Sequence, residues 1–313
     1  MLRRQDVGHR VVVRRFVGFR GDRRLYTDAL GELVDVTETQ LTLATDKGTL
    51  VVPLEDVHRA KRVPPRRRPT ATDVIGLELA ADEAWPAPVH DRLGGWLLRS
   101  AEGWTGRANS ALPIGDPDRP LEQALDAVER WYADRGRQPL VNVPLPLAAP
   151  VGAALDARGW TARPLTLVQA GPIARIPSPG REVVLREAPS DGWLSIAASR
   201  KQGLPPAAMH VLTAVRQVRF AEAYEGAELV AIGRGALVAG GRRLHLGLVE
   251  VVPGHRRRGL AREITAALAD WAARLGAREV FLQVEERNAA AVALYGSMGL
   301  STHHSYLTRE APV

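Results

Sequence analysis

The clearest change of hydrophobic period in the chain lies between residues 244 and 275. Residues 244–252 form an apolar run that is short enough for a strand covered on both faces, and Pro253 and Gly254 end it. From Gly259 onwards, apolar residues recur every three or four positions, which predicts an amphipathic helix with one buried stripe. The stripe consists of Leu260, Ile264, Leu268, Trp271 and Leu275. The pattern therefore predicts a buried strand, a tight turn and a helix.

The turn between this strand and this helix has the composition of an anion-binding site. Backbone N–H groups in the first turn of a helix have no partners, and the helix dipole places positive charge there. Gly259 lets a ligand approach the backbone closely, and Arg256, Arg257 and Arg258 add formal charge. These features predict a site for a polyanion, most naturally a pyrophosphate. The alternative is a solvated basic turn without a ligand.

A second strand and helix follow along the chain. Residues 280–284 (VFLQV) are an apolar strand candidate, and residues 288–298 (NAAAVALYGSM) are a short helix candidate with Asn288 as N-cap and Gly299 at its left-handed end. The chain thus shows the succession strand, R-x-x-G-x-A, helix, strand, N-x-x-A-x-x-L-Y-x-x-x-G-L. This succession resembles the GNAT superfamily of acetyl-CoA-dependent N-acetyltransferases. The resemblance extends from about residue 182 to the C-terminus. Other nucleotide loops fit less well, because no G-K-[ST] follows a glycine loop and no G-x-G-x-x-G opens a helix.

The resemblance implies an α/β (α+β) fold, with a mixed central sheet flanked by helices, and acetyl-CoA as cofactor. It implies that the cofactor pyrophosphate binds the backbone of residues 257–262 and that pantetheine pairs with the strand edge at residues 249–252. The residues assigned to the cofactor are Val249, Val251, Val252, Arg256, Arg257, Arg258, Gly259, Leu260, Ala261, Arg262, Asn288 and Tyr295.

An internal repeat is visible at an offset of 140 residues. Trp131 and Trp271 occupy equivalent positions of two helix candidates, and Gly136 and Gly276 follow them at the same offset. Several landmarks at one offset indicate duplicated units. We therefore expect two GNAT-like domains in tandem, at residues 71–170 and 182–313, with a linker at 170–181.

The first copy has lost the residues that would carry the chemistry. Its replacements are Asp116 for Arg256, Arg119 for Gly259, Ala148 for Asn288 and Leu155 for Tyr295. An acidic residue at a pyrophosphate turn repels the ligand. We therefore predict a degenerate first domain that packs against a catalytic second domain, an outline similar to that of the mycothiol synthase type.

Residues 1–65 are rich in short β-type segments, which suggests a small SH3-like β-barrel, and a basic, proline-rich linker follows at 63–69. Of the net charge of +7, residues 1–70 carry +6, with 15 Lys and Arg against 9 Asp and Glu. An acidic partner or nucleic acid is one interpretation, and a solvated face is the other. The segment shows no obvious exposed aromatic series, which weakens the version with single-stranded nucleic acid.

Composition limits the remaining chemistry. The chain of 313 residues has no cysteine, so a disulfide, a thiolate metal site and a cysteine nucleophile are excluded. His303 and His304 are too close together to form a metal pair without further ligands, and we predict no metal. No leader segment and no apolar run of about 18 residues is present, so we expect a cytoplasmic protein without a membrane partner. The oligomeric state stays open.

Transfer of an acetyl group to an amine needs a base for the amine proton and an acid for the departing thiolate. By the resemblance, Tyr295 is the acid candidate, although an aromatic core residue is the alternative. His245 and Glu250 are both base candidates. Strict strand alternation places Glu250 on the opposite face from His245 unless a bulge intervenes. Gln283 occupies a position where some family members carry a glutamate, and an amide cannot act as a base.

We therefore predict an N-acetyltransferase in which a primary amine attacks acetyl-CoA directly. The acceptor, a protein lysine or a small-molecule amine, stays open, as does a longer acyl group. Two alternatives remain at this point. One is a non-catalytic regulatory protein that binds acyl-CoA, and the other is a nucleic-acid or peptide binder that acts through residues 1–70.

Overall fold

The computed structural model of the chain describes residues 2–45, 48–63, 69–199 and 203–312. Contacts divide the chain into two compact units, Met1–Arg68 and Pro69–Val313. The sequence Asp46-Lys47-Gly48 predicts a hairpin turn. Its first two residues and most of the proline-rich linker lie outside the described residues.

Within the described part of the first unit, five strands form one antiparallel sheet in the order β4-β3-β2-β1-β5. The strands are β1 (Arg10–Arg20), β2 (Arg23–Val36), β3 (Gln40–Thr45), β4 (Gly48–Pro53) and β5 (Val57–Arg62). Alternate residues point inward and build a core of Leu2, Val11, Val13, Leu33, Leu41, Leu43 and Val52. The sheet is consistent with a small barrel, and an SH3-like closure stays a prediction. The β1–β2 hairpin is long, and most residues near its tip are exposed.

The second unit contains the duplicated elements. Its first part consists of α1 (Ala71–Ala84), β6 (Val89–Leu93), β7 (Trp96–Ser100), α2 (Leu121–Ala133), β8 (Leu140–Leu145), α3 (Ala149–Ala157), β9 (Thr161–Ala162) and β10 (Thr166–Pro172). Its second part consists of β11 (Val184–Arg186), α4 (Asp191–Ser199), α5 (Pro206–Thr213), β12 (Val218–Glu225), β13 (Glu228–Val238), β14 (Arg243–Val251), α6 (Leu260–Arg274), β15 (Glu279–Glu285), α7 (Ala289–Ser297) and β16 (Ser301–Glu310). The strand and the helix predicted from the change of hydrophobic period are β14 and α6, and the predicted turn lies between them.

A mixed sheet runs through the described residues of the second unit in the order β11-β12-β13-β14-β15-β10-β16-β8, with β9 added to β16. β14 and β15 are parallel, whereas the other neighbouring pairs in this order are antiparallel. Helices cover the sheet, and α6 packs on β13 and β14 through Ile264 and Leu268. A side chain at Gly233 would overlap Ile264, so this close packing requires glycine. The expected mixed α/β fold class is confirmed.

The two parts of this unit exchange their last strands. β10, from the first part, lies between β15 and β16, and β16 pairs in turn with β8 of the first part. Trp131 and Trp271 are both buried on the equivalent helices α2 and α6. Because each part completes the sheet of the other, the two parts form one compact unit. A division into domains at residues 170–181 stays a prediction about the origin of the two parts.

A buried arginine fixes two helices on the sheet. Arg234 of β13 donates from Nε to the Leu212 carbonyl at 2.8 Å and from a terminal nitrogen to the Ala84 carbonyl at 3.0 Å. Both carbonyls belong to last turns of helices, α5 and α1, where a cation is favourable. Burial lowers the pKa of Arg234 to about 9. These bonds hold Trp85, the residue that ends α1, beside the central strands.

Candidate active site

The two parallel central strands separate part-way along their length. The last registered pair between β14 and β15 is Leu246 with Leu282, although the strands continue to Val251 and Glu285. A cavity of about 600 Å³ opens at this point. Its lining includes residues from both faces of the sheet, so the cavity passes through the opening between the strands.

A β-bulge in β14 determines which side chains reach this cavity. Glu250 pairs with Ile232, but the next pair is Gly247 with Arg234, so two residues of β14 oppose one of β13. Leu248, within the bulge, has a positive φ of 51°. The extra residue moves Glu250 to the face of His245, and both residues line the cavity. Strict alternation would have separated the two base candidates.

His245 is buried and held in one orientation. Its Nε2 lies 2.9 Å from Gln283 Oε1, so the neutral ring carries its hydrogen on Nε2 and donates it to the amide oxygen. Burial is the main reason why the pKa of His245 falls to about 3, and the nearby charge of Arg107 lowers it further. Nδ1 is buried and has no hydrogen-bond partner within the described residues. His245 is therefore a neutral group at physiological pH, and Gln283 fixes its tautomer.

Tyr295 reaches the cavity from the other face of the sheet. It lies on α7, is 7% exposed, and belongs to the core cluster that includes Leu282 and Leu260. Asn288 caps the same helix, since its side-chain oxygen accepts a hydrogen bond from the Ala291 N–H at 3.2 Å. The structure thus brings Tyr295, Asn288, His245 and Glu250 to one cavity.

The turn before α6 presents unused backbone donors. Arg257 and Gly259 both have positive φ, 62° and 85°, and α6 begins immediately afterwards. In the part of the chain that the structure describes, the backbone N–H groups of residues 257–261 have no hydrogen-bond acceptor. A Cβ at Gly259 would meet open space. Consecutive free amides in this conformation form a concave anion site.

The arginine side chains of the turn are mostly committed to the protein. Arg256 donates to the Val251 carbonyl at 3.2 Å, and Arg258 forms an ion pair with Glu225 at 2.8 Å. Arg262 donates to Ser297 Oγ at 2.7 Å. Arg257 alone has neither a hydrogen bond nor an ion pair among the described residues. The anion site therefore depends on backbone amides more than on the three arginines emphasised by the sequence.

The first part of the unit supplies a wall of the cavity that the sequence did not reveal. Trp85 and Trp104 stack with ring centroids 5.5 Å apart, and Trp85 donates to Thr105 Oγ1 at 3.0 Å. Arg107 donates to Tyr306 Oη at 2.8 Å. The sequence contains one hint of this wall, the concentration of tryptophan residues in the otherwise degenerate first copy. Without knowledge of the strand exchange, however, that hint does not place these tryptophans at the cavity.

The side chains of the two adjacent histidines, His303 and His304, form hydrogen bonds within the protein. His304 Nε2 lies 2.7 Å from Glu78 Oε1 in the buried interior, and His303 Nδ1 lies 2.9 Å from His304 Nδ1. Within the described ranges, no group of three or more potential metal ligands occurs. None of the described helices is long and apolar enough to span a membrane.

Comparisons with known proteins agree with this architecture. The model of the family described as "Probable histone acetyltransferase Rv0428c C-terminal" matches residues 71–308. The probable histone acetyltransferase Rv0428c of Mycobacterium tuberculosis (strain ATCC 25618 / H37Rv) is 31% identical over 290 residues, which cover 89% of this chain and 87% of that protein. The uncharacterized N-acetyltransferase YobR of Bacillus subtilis (strain 168) is 29% identical over 258 residues, which cover 76% of this chain and 99% of that protein.

Two solved structures share the fold. A GCN5-related N-acetyltransferase from Kribbella flavida superimposes with a TM-score of 0.61 at 15% identity, covering 77% of this chain and 96% of its own. A tandem GNAT protein from the clavulanic acid biosynthesis pathway gives a TM-score of 0.53 at 18% identity, covering 79% of this chain and 91% of its own. Fold and relatives together define an acyltransferase of the GNAT superfamily. Within it, the chain belongs to the family of the Rv0428c C-terminal region.

Proposed function

We propose that the protein transfers an acetyl group from acetyl-CoA to a primary amine by direct attack. The observation that carries this proposal is the set of unbonded amides at residues 257–261, which lies next to the opening between β14 and β15. A diphosphate fits such amides because it accepts several hydrogen bonds at once. Bound acetyl-CoA supplies the acetyl thioester that the amine attacks.

The cofactor-binding residues are those at the turn and the strand edge. The amides of Arg257 to Ala261 hold the diphosphate, and Arg257 adds charge. The edge of β14 at Val249 and Val251, together with Val252 directly after the strand, offers backbone groups to the pantetheine arm. Arg256 already bonds the Val251 carbonyl, so pantetheine either uses the second lone pair of that oxygen or displaces the Arg256 side chain. Asn288 caps α7 and keeps Tyr295 at the cavity.

Two side chains, those of Glu250 and Tyr295, transfer protons in the proposed reaction. Glu250 accepts the proton of the attacking amine, directly or through a water molecule, because the bulge turns its carboxylate into the cavity. Tyr295 Oη donates a proton to the departing sulfur. His245 is not the base in this proposal, because burial lowers its pKa to about 3 and thereby makes the imidazole a weak base.

Acetyl-dependent thiol release tests the proposal. With acetyl-CoA and a library of primary amines, the wild-type protein should release free thiol only when a suitable amine is present. Tyr295→Phe should lower kcat by roughly 10²-fold, since the acid is lost, while the affinity for acetyl-CoA measured by calorimetry stays unchanged. Binding of acetyl-CoA without thiol release, whichever amine is supplied, would instead favour a regulatory protein that binds acyl-CoA.

The first unit carries a second proposed function, the binding of single-stranded nucleic acid. Its β1–β2 hairpin exposes aromatic rings that the sequence pattern did not reveal: Phe19 is 62% exposed and Tyr26 is 39% exposed. Phe16 contacts both rings, with centroids at 5.1 and 6.2 Å. Arg24 lies over Phe16 at 5.9 Å. Exposed rings among arginines are the features that stack bases and contact phosphates.

Fluorescence anisotropy with a labelled oligothymidylate tests this second function on the full chain. We expect binding that weakens steeply with salt, because phosphate contacts release counterions. Tyr26→Ala should weaken it about 10-fold, within the roughly 1–3 kcal/mol that one stacked base contributes. Val51→Ala, on an exposed strand position of the same unit, serves as control. Equal affinities of all three proteins would contradict the proposal.

A further inference from the structure

One cationic side chain that lines the cavity has no acidic partner among the residues that the structure describes. Arg163 is neutralised by Glu310 through hydrogen bonds of 3.1 and 3.0 Å, and Arg287 by Glu285 at 2.6 Å. Arg107 differs from both, although it lines the same cavity. It donates to the Tyr306 hydroxyl at 2.8 Å and lies over that ring at 5.6 Å. Among the described residues, no carboxylate contacts its guanidinium.

A buried carboxylate, that of Glu78, interacts with the charge of Arg107 but does not bond its guanidinium. Glu78 is buried, and its carboxylate is bonded to His304 rather than to Arg107. Burial raises the pKa of Glu78, but the hydrogen bond and charge of His304, together with the charge of Arg107, lower it below its usual value. Arg107 also lowers the pKa of His245. Its charge therefore acts on the interior of the site.

The loop that carries Arg107 offers a second donor. Trp104 lies three residues earlier, and its indole N–H is buried without an acceptor within the described residues. A buried donor without a partner has a free-energy cost that a ligand or an ordered water can relieve. Glu250 and the unpartnered Nδ1 of His245, on the central strand, are hydrogen-bond acceptors. The cavity thus combines a donor loop with an acceptor strand.

We propose that the acceptor is a small amine that also carries an anionic group, a carboxylate or a phosphate, and that Arg107 binds this group. The inference rests on the proposed acetyl transfer at this cavity. The amine of such a molecule lies toward Glu250, and its anionic oxygens lie toward Arg107, where a planar guanidinium forms two parallel hydrogen bonds. Arg107 is then a specificity-determining residue contributed by the part of the chain whose own site is degenerate.

Matched amine pairs test the proposal. The probes are 5-aminopentanoate against pentylamine, O-phosphoethanolamine against ethanolamine, and a lysine peptide with blocked ends. Thiol release gives kcat and KM, and calorimetry in the presence of CoA gives binding without turnover. We expect the wild-type protein to prefer an anionic member by at least 10-fold in kcat/KM and in affinity. The two pairs show whether carboxylate or phosphate is the favoured group.

Arg107→Gln should reduce that preference to near unity, mainly by raising KM for the anionic amines. A charge-assisted hydrogen bond of roughly 1.5–3 kcal/mol corresponds to about 10- to 150-fold. Arg163→Gln is the matched control, because that arginine is already paired, and it should keep the preference. Equal use of neutral and anionic amines, better use of the blocked peptide, or failure to bind either anionic probe overturns the inference. Loss of acetyl-CoA binding itself would instead contradict the proposed function.

Discussion

Gly259→Glu should lower the affinity for acetyl-CoA by roughly 100-fold, or about 2.8 kcal/mol. Gly259 lies at the centre of the five unbonded amides, and the space above it is open. A side chain there occupies the volume that a diphosphate needs. Its carboxylate also repels the diphosphate and competes with it for the same N–H donors. Isothermal titration of acetyl-CoA against both proteins measures the difference.

The chain contains a matched control at the other end of the same helix. Gly276 has a φ of 93°, similar to the 85° of Gly259, and a Cβ at either position meets open space. Gly276→Glu therefore introduces the same charge and the same strain, about 1–2 kcal/mol for a non-glycine residue in this conformation. Gly276→Glu should lower the unfolding temperature somewhat more than Gly259→Glu, because the helix dipole favours an acidic side chain at the N-terminus of α6 and disfavours one at its C-terminus, whereas only Gly259→Glu should lose affinity. Equal affinities for acetyl-CoA would remove the main support for the cofactor site.

Local sequence patterns predicted the elements around this site well. The change of period after Gly259 predicted a helix, and α6 begins at Leu260 with Gly259 as its left-handed cap. Asn288 was predicted as N-cap and accepts the Ala291 N–H. Such features depend on neighbouring residues, so their physical causes are present in a short stretch of sequence.

Features that depend on distant pairing were not predictable in the same way. The exchange of β10 and β16 joins strands more than one hundred residues apart along the chain, and nothing in either strand specifies its neighbour. The bulge at Leu248 is equally hidden, because an extra apolar residue in an apolar run does not alter the pattern. The cavity wall with Arg107 follows from the exchange, which is why a copy that looked inert contributes to the site.

Glu250→Gln should lower kcat by about 10²- to 10⁴-fold, the range expected when a general base is lost. The amide is almost isosteric with the carboxylate but cannot accept a proton from the attacking amine. Binding of acetyl-CoA should stay the same, because Glu250 lies at the bulge and not among the amides of the turn. Single-turnover thiol release with a saturating amine measures the chemical step directly.

Comparison with two other variants decides between the base candidates. His245→Gln should cost less than 10-fold, because the pKa of His245 near 3 keeps its ring uncharged from pH 5 to 8 and makes it a weak base. The kcat profile of the wild-type protein should accordingly contain no titration of His245 in that interval. Glu285→Gln, which removes a carboxylate already paired with Arg287, should leave kcat unchanged. If His245→Gln is the more damaging variant, then the buried imidazole must become accessible during the reaction, and the bulge serves to shape the cavity instead of delivering the base.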